Sequence, residues 1–213
     1  MLTPDRTDKT RVIACGALAR EIRDLCAAND FAHIELTCLP AILHNRPERI
    51  APRLEPELKK AKDEGYGDVL VGYGDCGTGG AIAHLCEEYG ARMLPGAHCY
   101  AFYAGVDAFA ARNETRAFYL TDFLARHFES VVVEPLKLRA HPELVPMMFG
   151  NYERVVYLSQ ATPAPYIEHA LKAAEFLGLD FVHEPIGYGA LCGALSQVPR
   201  HVDGAIAADD VSS

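Results

Sequence analysis

Apolar residues along this chain fall in two rhythms, short β-branched runs and longer stretches that repeat every three to four positions, and together they predict alternating strands and helices. Arg11-Val12-Ile13-Ala14-Cys15 reads as the first strand, and Ala17 to Ala28 as a helix with Leu18, Ile22, Leu25 and Cys26 on its inner side. Ala32 to Cys38 is a second strand, ended by Leu39-Pro40. A loop through His44 and the candidate cap Asn45 then opens a helix that Pro52 and Pro56 could break before Glu64. Asp68-Val69-Leu70-Val71 is a third strand, Ala81 to Tyr89 a helix, and Ala91 to Leu94 a fourth, short strand. The aromatic stretch Phe118 to Phe128 reads as a helix packed on a sheet, and Ser130 to Glu134 as its end or a short strand. Arg154 to Leu158 is a strand, Tyr166 to Leu177 a helix closed by Gly178, and Asp180 to Glu184 the last strand. This order predicts a three-layer, Rossmann-like α/β fold: a mostly parallel sheet with helices on both faces, in a single domain over 1–213, with 1–10 and 200–213 loose.

Between the third strand and its helix lies Gly72-Tyr73-Gly74-Asp75-Cys76-Gly77-Thr78-Gly79-Gly80. Five glycines in nine residues allow positive φ and close approach of a ligand to the main chain, which makes Gly72, Tyr73, Gly74, Gly77, Thr78 and Gly79 candidate ligand-binding residues. Its cysteine stands at a strand end beside a helix N-terminus, where aligned backbone amides favour a thiolate. A tight turn holding an incidental small apolar side chain is the plainer reading.

Composition narrows the partners. The 213 residues carry a formal charge of -9, so no broad basic face is available to neutralise a nucleic-acid backbone. No apolar run reaches the length of a membrane span, and Met1 to Arg6 lead into charged residues without an apolar signal core. A cytoplasmic protein that binds neither nucleic acid nor membrane is expected, with homo-oligomerisation left open. Seven cysteines in a reducing compartment point to a metal or a reactive thiol over a disulfide framework.

In parallel sheets ligands bind beyond the carboxyl ends of the strands, so residues just after each strand converge there. The first strand delivers Cys15, the second Cys38 and then His44, the third Asp75 and Cys76, and the fourth His98 and Cys99; Cys26 and Cys86 fall mid-helix and are assigned to packing. Thiolate and imidazole donors suit zinc, or an iron centre, better than magnesium or calcium. The preferred metal set is Cys15, His44, Cys76 and Cys99, with Cys38 and His98 as substitutes, and Asp75 or His98 would move the proton. Tyr73, Tyr100 and Tyr119 could line a pocket, though packing explains them as well, and Asp122, a polar residue within an apolar stretch, either caps a helix or reaches the site, with capping preferred. Arg139, His141, His183 and Glu184 could serve as acid, base or anion partners, with nothing in the sequence to place them. A faint echo, Gly72-Tyr73-Gly74 in Gly187-Tyr188-Gly189 and Cys15-Gly16-Ala17-Leu18 in Cys192-Gly193-Ala194-Leu195, hints that the C-terminal turn also faces the site.

Cys15-Gly16, Leu43-His44-Asn45 with Pro47, the Gly72 to Gly77 turn and the Pro95 to Cys99 turn together resemble an uncharacterised prokaryotic family known as domain of unknown function 1638. Members of that family are often encoded beside corrinoid-dependent methyltransferases, corrinoid proteins and folate-linked partners, so the resemblance implies methyl or one-carbon transfer, with a corrinoid protein or methyltransferase as partner. The family tends to have Asp where this chain has His98 and a bulky apolar residue where it has Asp75. Three functions are compatible with these residues. One is a zinc-dependent enzyme acting on a small molecule, with an iron-sulfur cluster as the alternative cofactor. Another is a non-catalytic accessory or metal carrier. The last is a metal-free cysteine enzyme that binds an anion at the glycine-rich turn, weakened by the absence of a phosphate-loop Lys and Ser/Thr.

Overall fold

The computed structural model describes residues 6–98 and 100–198, so Cys99 and the expected loose ends at 1–5 and 200–213 lie outside the described residues. Every strand pairing in it is parallel. The α/β class is as the sequence predicts, but the strands are divided between two sheets.

The first sheet has the order β2-β1-β3-β4, formed by β1 (Thr10–Cys15), β2 (Ile34–Leu39), β3 (Asp68–Gly72) and β4 (Arg92–Met93). β1 is central and its Val12, Ile13 and Ala14 are fully buried, which is why it reads as a continuous apolar run. Helices α1 (Ala19–Ala28), α2 (Ile50–Asp63) and α3 (Ala81–Tyr89) cover this sheet. α2 packs through Ile50, Leu54, Leu58 and Ala61 and runs unbroken through Pro52 and Pro56. Pro52 falls in the first turn, where no intrahelical bond is lost, and tertiary burial outweighs the single bond lost at Pro56.

The residues preceding β1 are more tightly held than expected. Arg6 donates to Glu64 and to the Tyr66 hydroxyl, each at 2.7 Å, and Lys9 pairs with Glu35 at 3.5 Å. Arg11 and Glu35 also bond the Tyr66 hydroxyl, so a charge cluster closes the end of the sheet opposite the strand carboxyl ends.

The second sheet has the order β5-β6-β7, formed by β5 (Ala117–Leu120), β6 (Arg154–Ser159) and β7 (Asp180–Pro185). Around it lie α6 (Asp122–Arg126), α7 (Leu144–Phe149) and α8 (Ile167–Leu177). The stretch expected to be one aromatic helix is a strand followed by a short helix. Strand pairing wins because Ala117 to Leu120 pair with β6 and bury Ala117, Tyr119 and Leu120, and the chain turns at Thr121. Ser130 to Glu134 resolves as a π-helical turn, Glu129–Val133, and not as a strand.

Between the sheets run α4 (Ala101–Ala104) and α5 (Val106–Ala111). After β7 the chain returns to the first sheet, where α9 (Gly189–Ser196) buries Leu191 and Leu195 in the core of β1, β3 and α1. This return depends on Gly189, whose φ is +44° and whose absent Cβ would stand 1.7 Å from the Tyr103 carbonyl oxygen on α4.

Candidate functional site

The carboxyl ends of the two sheets meet in a cleft. Cys15 ends β1, Thr121 follows β5, and both line a cavity of about 90 Å³ with His44, Tyr100, Tyr103 and Tyr119. The sheets are joined across it by ring stacking: His98 lies on Tyr100 with centroids 5.0 Å apart, and Tyr100 on Tyr119 at 5.5 Å. Asn45 Nδ2 donates to the Val131 carbonyl at 2.8 Å, so it ties the two halves together instead of capping α2.

Cys15 is 3% exposed, and across the ladder Ala14 faces Cys38 on β2 and Gly72 on β3. Cys38 is exposed at the edge of this end. His44 stands on a 3-10 turn, Ala41–Asn45, and remains solvent-exposed overall, yet desolvation against the cavity wall and then the charge of His98 hold its imidazole below the usual range. Burial lowers His98 as well, with the Asp75 carboxylate acting against it. The two imidazoles are therefore neutral neighbours at neutral pH and able to accept a proton.

The glycine-rich turn directs its hydrogen bonds inward. Asp75 and Cys76 donate their amides to Gly96 and Ala97 at 3.1 and 2.9 Å, which clamps this turn to the one carrying His98. Gly74 makes that clamp possible, since a Cβ there would stand 2.5 Å from the Gly96 carbonyl oxygen. The Asp75 carboxylate accepts from the Gly80 amide at 2.7 Å, from Gly79 at 3.3 Å and from the Thr78 hydroxyl at 3.2 Å, and these bonds, the Gly80 amide first, lower its pKa. Asp75 thus organises the entry to α3, Gly72 packs on Ala14, and Tyr73 is fully buried in the core. Gly77 sits at φ +79° with Pro47 Cγ 3.4 Å from where its Cβ would be. Cys76 is buried and holds φ +49°, an uncommon backbone state for a residue with a Cβ, at the position the sequence singles out.

Cys15 ends β1, and His44, Cys76 and His98 follow β2, β3 and β4, so each comes after the carboxyl end of a strand of the first sheet. Among the described residues, however, no three Cys, His, Asp or Glu side chains are gathered closely enough to hold a metal ion. Cys99, the fourth expected donor, lies outside the described residues. Cys86 is buried in the core and Cys26 packs against it, as assigned. Tyr100 and Tyr119 line the cavity, while Arg139 pairs with Glu129, Glu184 with Arg112, and His183 with the Ser159 hydroxyl, all away from it.

Two buried acids stand near this cleft, Asp122, which the sequence offers as a cap or a site residue, and Glu21, which the sequence reading does not single out. Thr121, not Asp122, caps α6, its hydroxyl accepting from the Leu124 amide at 3.3 Å. Asp122 is 2% exposed and accepts from the Tyr157 hydroxyl at 2.6 Å and from the amides of Gln160 and Ala161 at 3.2 and 3.0 Å. Glu21 on α1 is 4% exposed, and burial pushes its carboxyl up to about 7, with Asp122 adding to the rise. Position 21 is three residues after Leu18 and four before Leu25, so the inner stripe of the helix already contained the signal.

The fold and this edge define a parallel α/β protein of two sheets with a Cys- and His-bearing cleft at their facing carboxyl ends. The chain belongs to the family described as protein of unknown function (DUF1638), whose model matches residues 38–195. No curated protein and no solved structure matches it.

Proposed function

We propose that the cleft binds a small molecule and that Cys15 and His44 form its reactive pair, serving methyl or one-carbon transfer. The observation that carries this reading is that a buried thiol at the end of a central strand and an imidazole held neutral line the same cavity. His44 can take the proton of Cys15, and the resulting thiolate is the nucleophile. The cavity is walled mainly by tyrosine and aliphatic surface and has room for about three water volumes at ~30 Å³ each, a size that fits a methyl-bearing group. The methyl-transfer context rests on the family's resemblance and its corrinoid-linked gene neighbours.

Zinc fits the expected donor set in kind, three thiols and an imidazole, but the described donors do not close to a three-ligand group. A zinc ion held by Cys15, His44, Cys76 and Cys99 would supply a Lewis acid that keeps a substrate thiol ionised. A carrier or accessory role stays attached to that reading.

Elemental analysis of anaerobically purified protein, with Cys15→Ser and Cys76→Ser variants and iodoacetamide labelling, tests both. About one zinc per chain, lost in both variants, supports the metal reading, and iron with sulfide replaces zinc by a cluster. No metal, with Cys15 alkylation slowed severalfold in His44→Gln, supports the thiol-imidazole pair. No metal and no dependence of Cys15 reactivity on His44 overturns the proposal.

A further inference from the structure

A second cavity, of about 170 Å³, lies between α1 and α6, and shares only Ala17 and Phe123 with the Cys15 cavity. Its walls combine features that packing alone does not require. Glu21 lines it, is almost fully buried, and leaves Oε2 with no hydrogen-bond partner. Such an atom costs free energy unless something else meets it. Three arginines, Arg20, Arg23 and Arg126, line the same space. Arg20 donates to the Tyr166 hydroxyl at 2.8 Å and lies 3.6 Å from Asp24. Arg23 bonds only the Ala19 carbonyl, at 3.2 Å, and neither it nor Arg126 has a carboxylate partner among the described residues. Tyr166 orients two of them, with the Arg20 and Arg126 carbons each 5.9 Å from its ring centroid.

Each possible occupant can be weighed by charge. A cation would meet three arginines, and the oxygens of Asp122, the other acid in the wall, are already engaged by three protein donors. A phosphate would bring a second negative charge against Glu21 and Asp122. A single planar carboxylate matches the forked guanidinium geometry and can accept the proton that Glu21 retains.

We propose that this cavity is a binding site for a small monocarboxylate, held by Arg23 and Arg126 and hydrogen-bonded to the Glu21 carboxyl. The site stands apart from the Cys15 and His44 reading and does not need it. Protonated Glu21 donates to the ligand and its ionised form repels it, so binding is strongest where Glu21 is protonated. The other titratable and charged groups around Glu21 are Arg20, Arg23 and Asp24 on its own helix, Asp122, Arg126 and His127 of the α6 segment, Tyr166 before α8 and Tyr188 before α9.

Titration of the whole protein with sodium acetate against sodium chloride of equal ionic strength, followed by thermal shift and calorimetry, tests this. Saturable acetate binding is expected, roughly five- to tenfold weaker at pH 8 than at pH 6. Arg126→Gln and Arg23→Gln, both at exposed positions, should weaken it at least severalfold without loss of fold. Glu21→Gln should keep binding and lose the pH dependence, and Cys15→Ser should leave binding unchanged. Carbon NMR of labelled glutamate should place the Glu21 midpoint higher in acetate than in chloride. Acetate acting no differently from chloride, binding unaffected in both arginine variants, or inorganic phosphate binding more tightly than acetate would each overturn the proposal.

Discussion

Glu21 shows how one buried side chain sets a pH profile. Its carboxyl has a folded value of about 7 against 4.5 ordinarily, with burial the first cause, so the folded protein holds this proton more tightly than the unfolded chain. The associated stability is fully present below pH 4.5, declines as pH rises, and is gone above 7, a loss of up to about 3 kcal/mol. Urea unfolding of wild type and Glu21→Gln between pH 4.5 and 8 should show this extra decline in the wild type alone. Asp122 is the opposite case, a buried acid whose partners are all present. Asp122→Ala leaves the Tyr157 hydroxyl and two amides unpaired and should cost about 3 kcal/mol by denaturant unfolding. Position on the inner stripe marks Glu21 and an apolar setting marks Asp122, but a lone Glu in a helix and a lone Asp after a strand normally mean a solvated face and a cap, so sequence names neither one's partners. That Cys15 and His44 line one cavity follows from strand-end position, since strand ends in a parallel sheet gather at one edge.

At the scale of elements, two glycines decide how turns close on each other. Gly189→Ala would drive a methyl group into the Tyr103 carbonyl at a positive φ, and the backbone would have to move. A loss of about 2 kcal/mol or more is expected, with Leu191 and Leu195 partly withdrawn from the core, measurable by urea unfolding. Gly74→Ala would separate the Cys76 turn from the His98 turn and should speed alkylation of Cys76, which is 4% exposed in the native protein. The glycine pattern announced a functional turn, yet the close approach it permits is between two protein backbones. Sequence could show that room was needed there and not what would fill it. The aromatic run from Phe118 illustrates the same limit: its residues satisfy helical spacing, and only pairing with β6 makes Ala117–Leu120 a strand.

At the scale of the molecule, α9 couples the end of the chain to its beginning, crossing from the second sheet to the core of the first. Leu191 is fully buried there, and Leu191→Ala should cost about 3 kcal/mol and lower hydrogen-exchange protection in β1 and β3 more than in β6. Equal loss in both sheets would mean that they unfold as one unit. Among the described residues no helix is long and apolar enough to cross a membrane. The sequence by itself determined the parallel α/β class and most strand positions, because period, length and strand ends are local properties of the chain. The tertiary structure decided that the strands form two sheets, that the Cys15 cavity closes between them, and that Glu21 faces Asp122 across a second cavity. These depend on long-range pairing, which a local pattern permits in more than one arrangement and which burial in the folded chain selects.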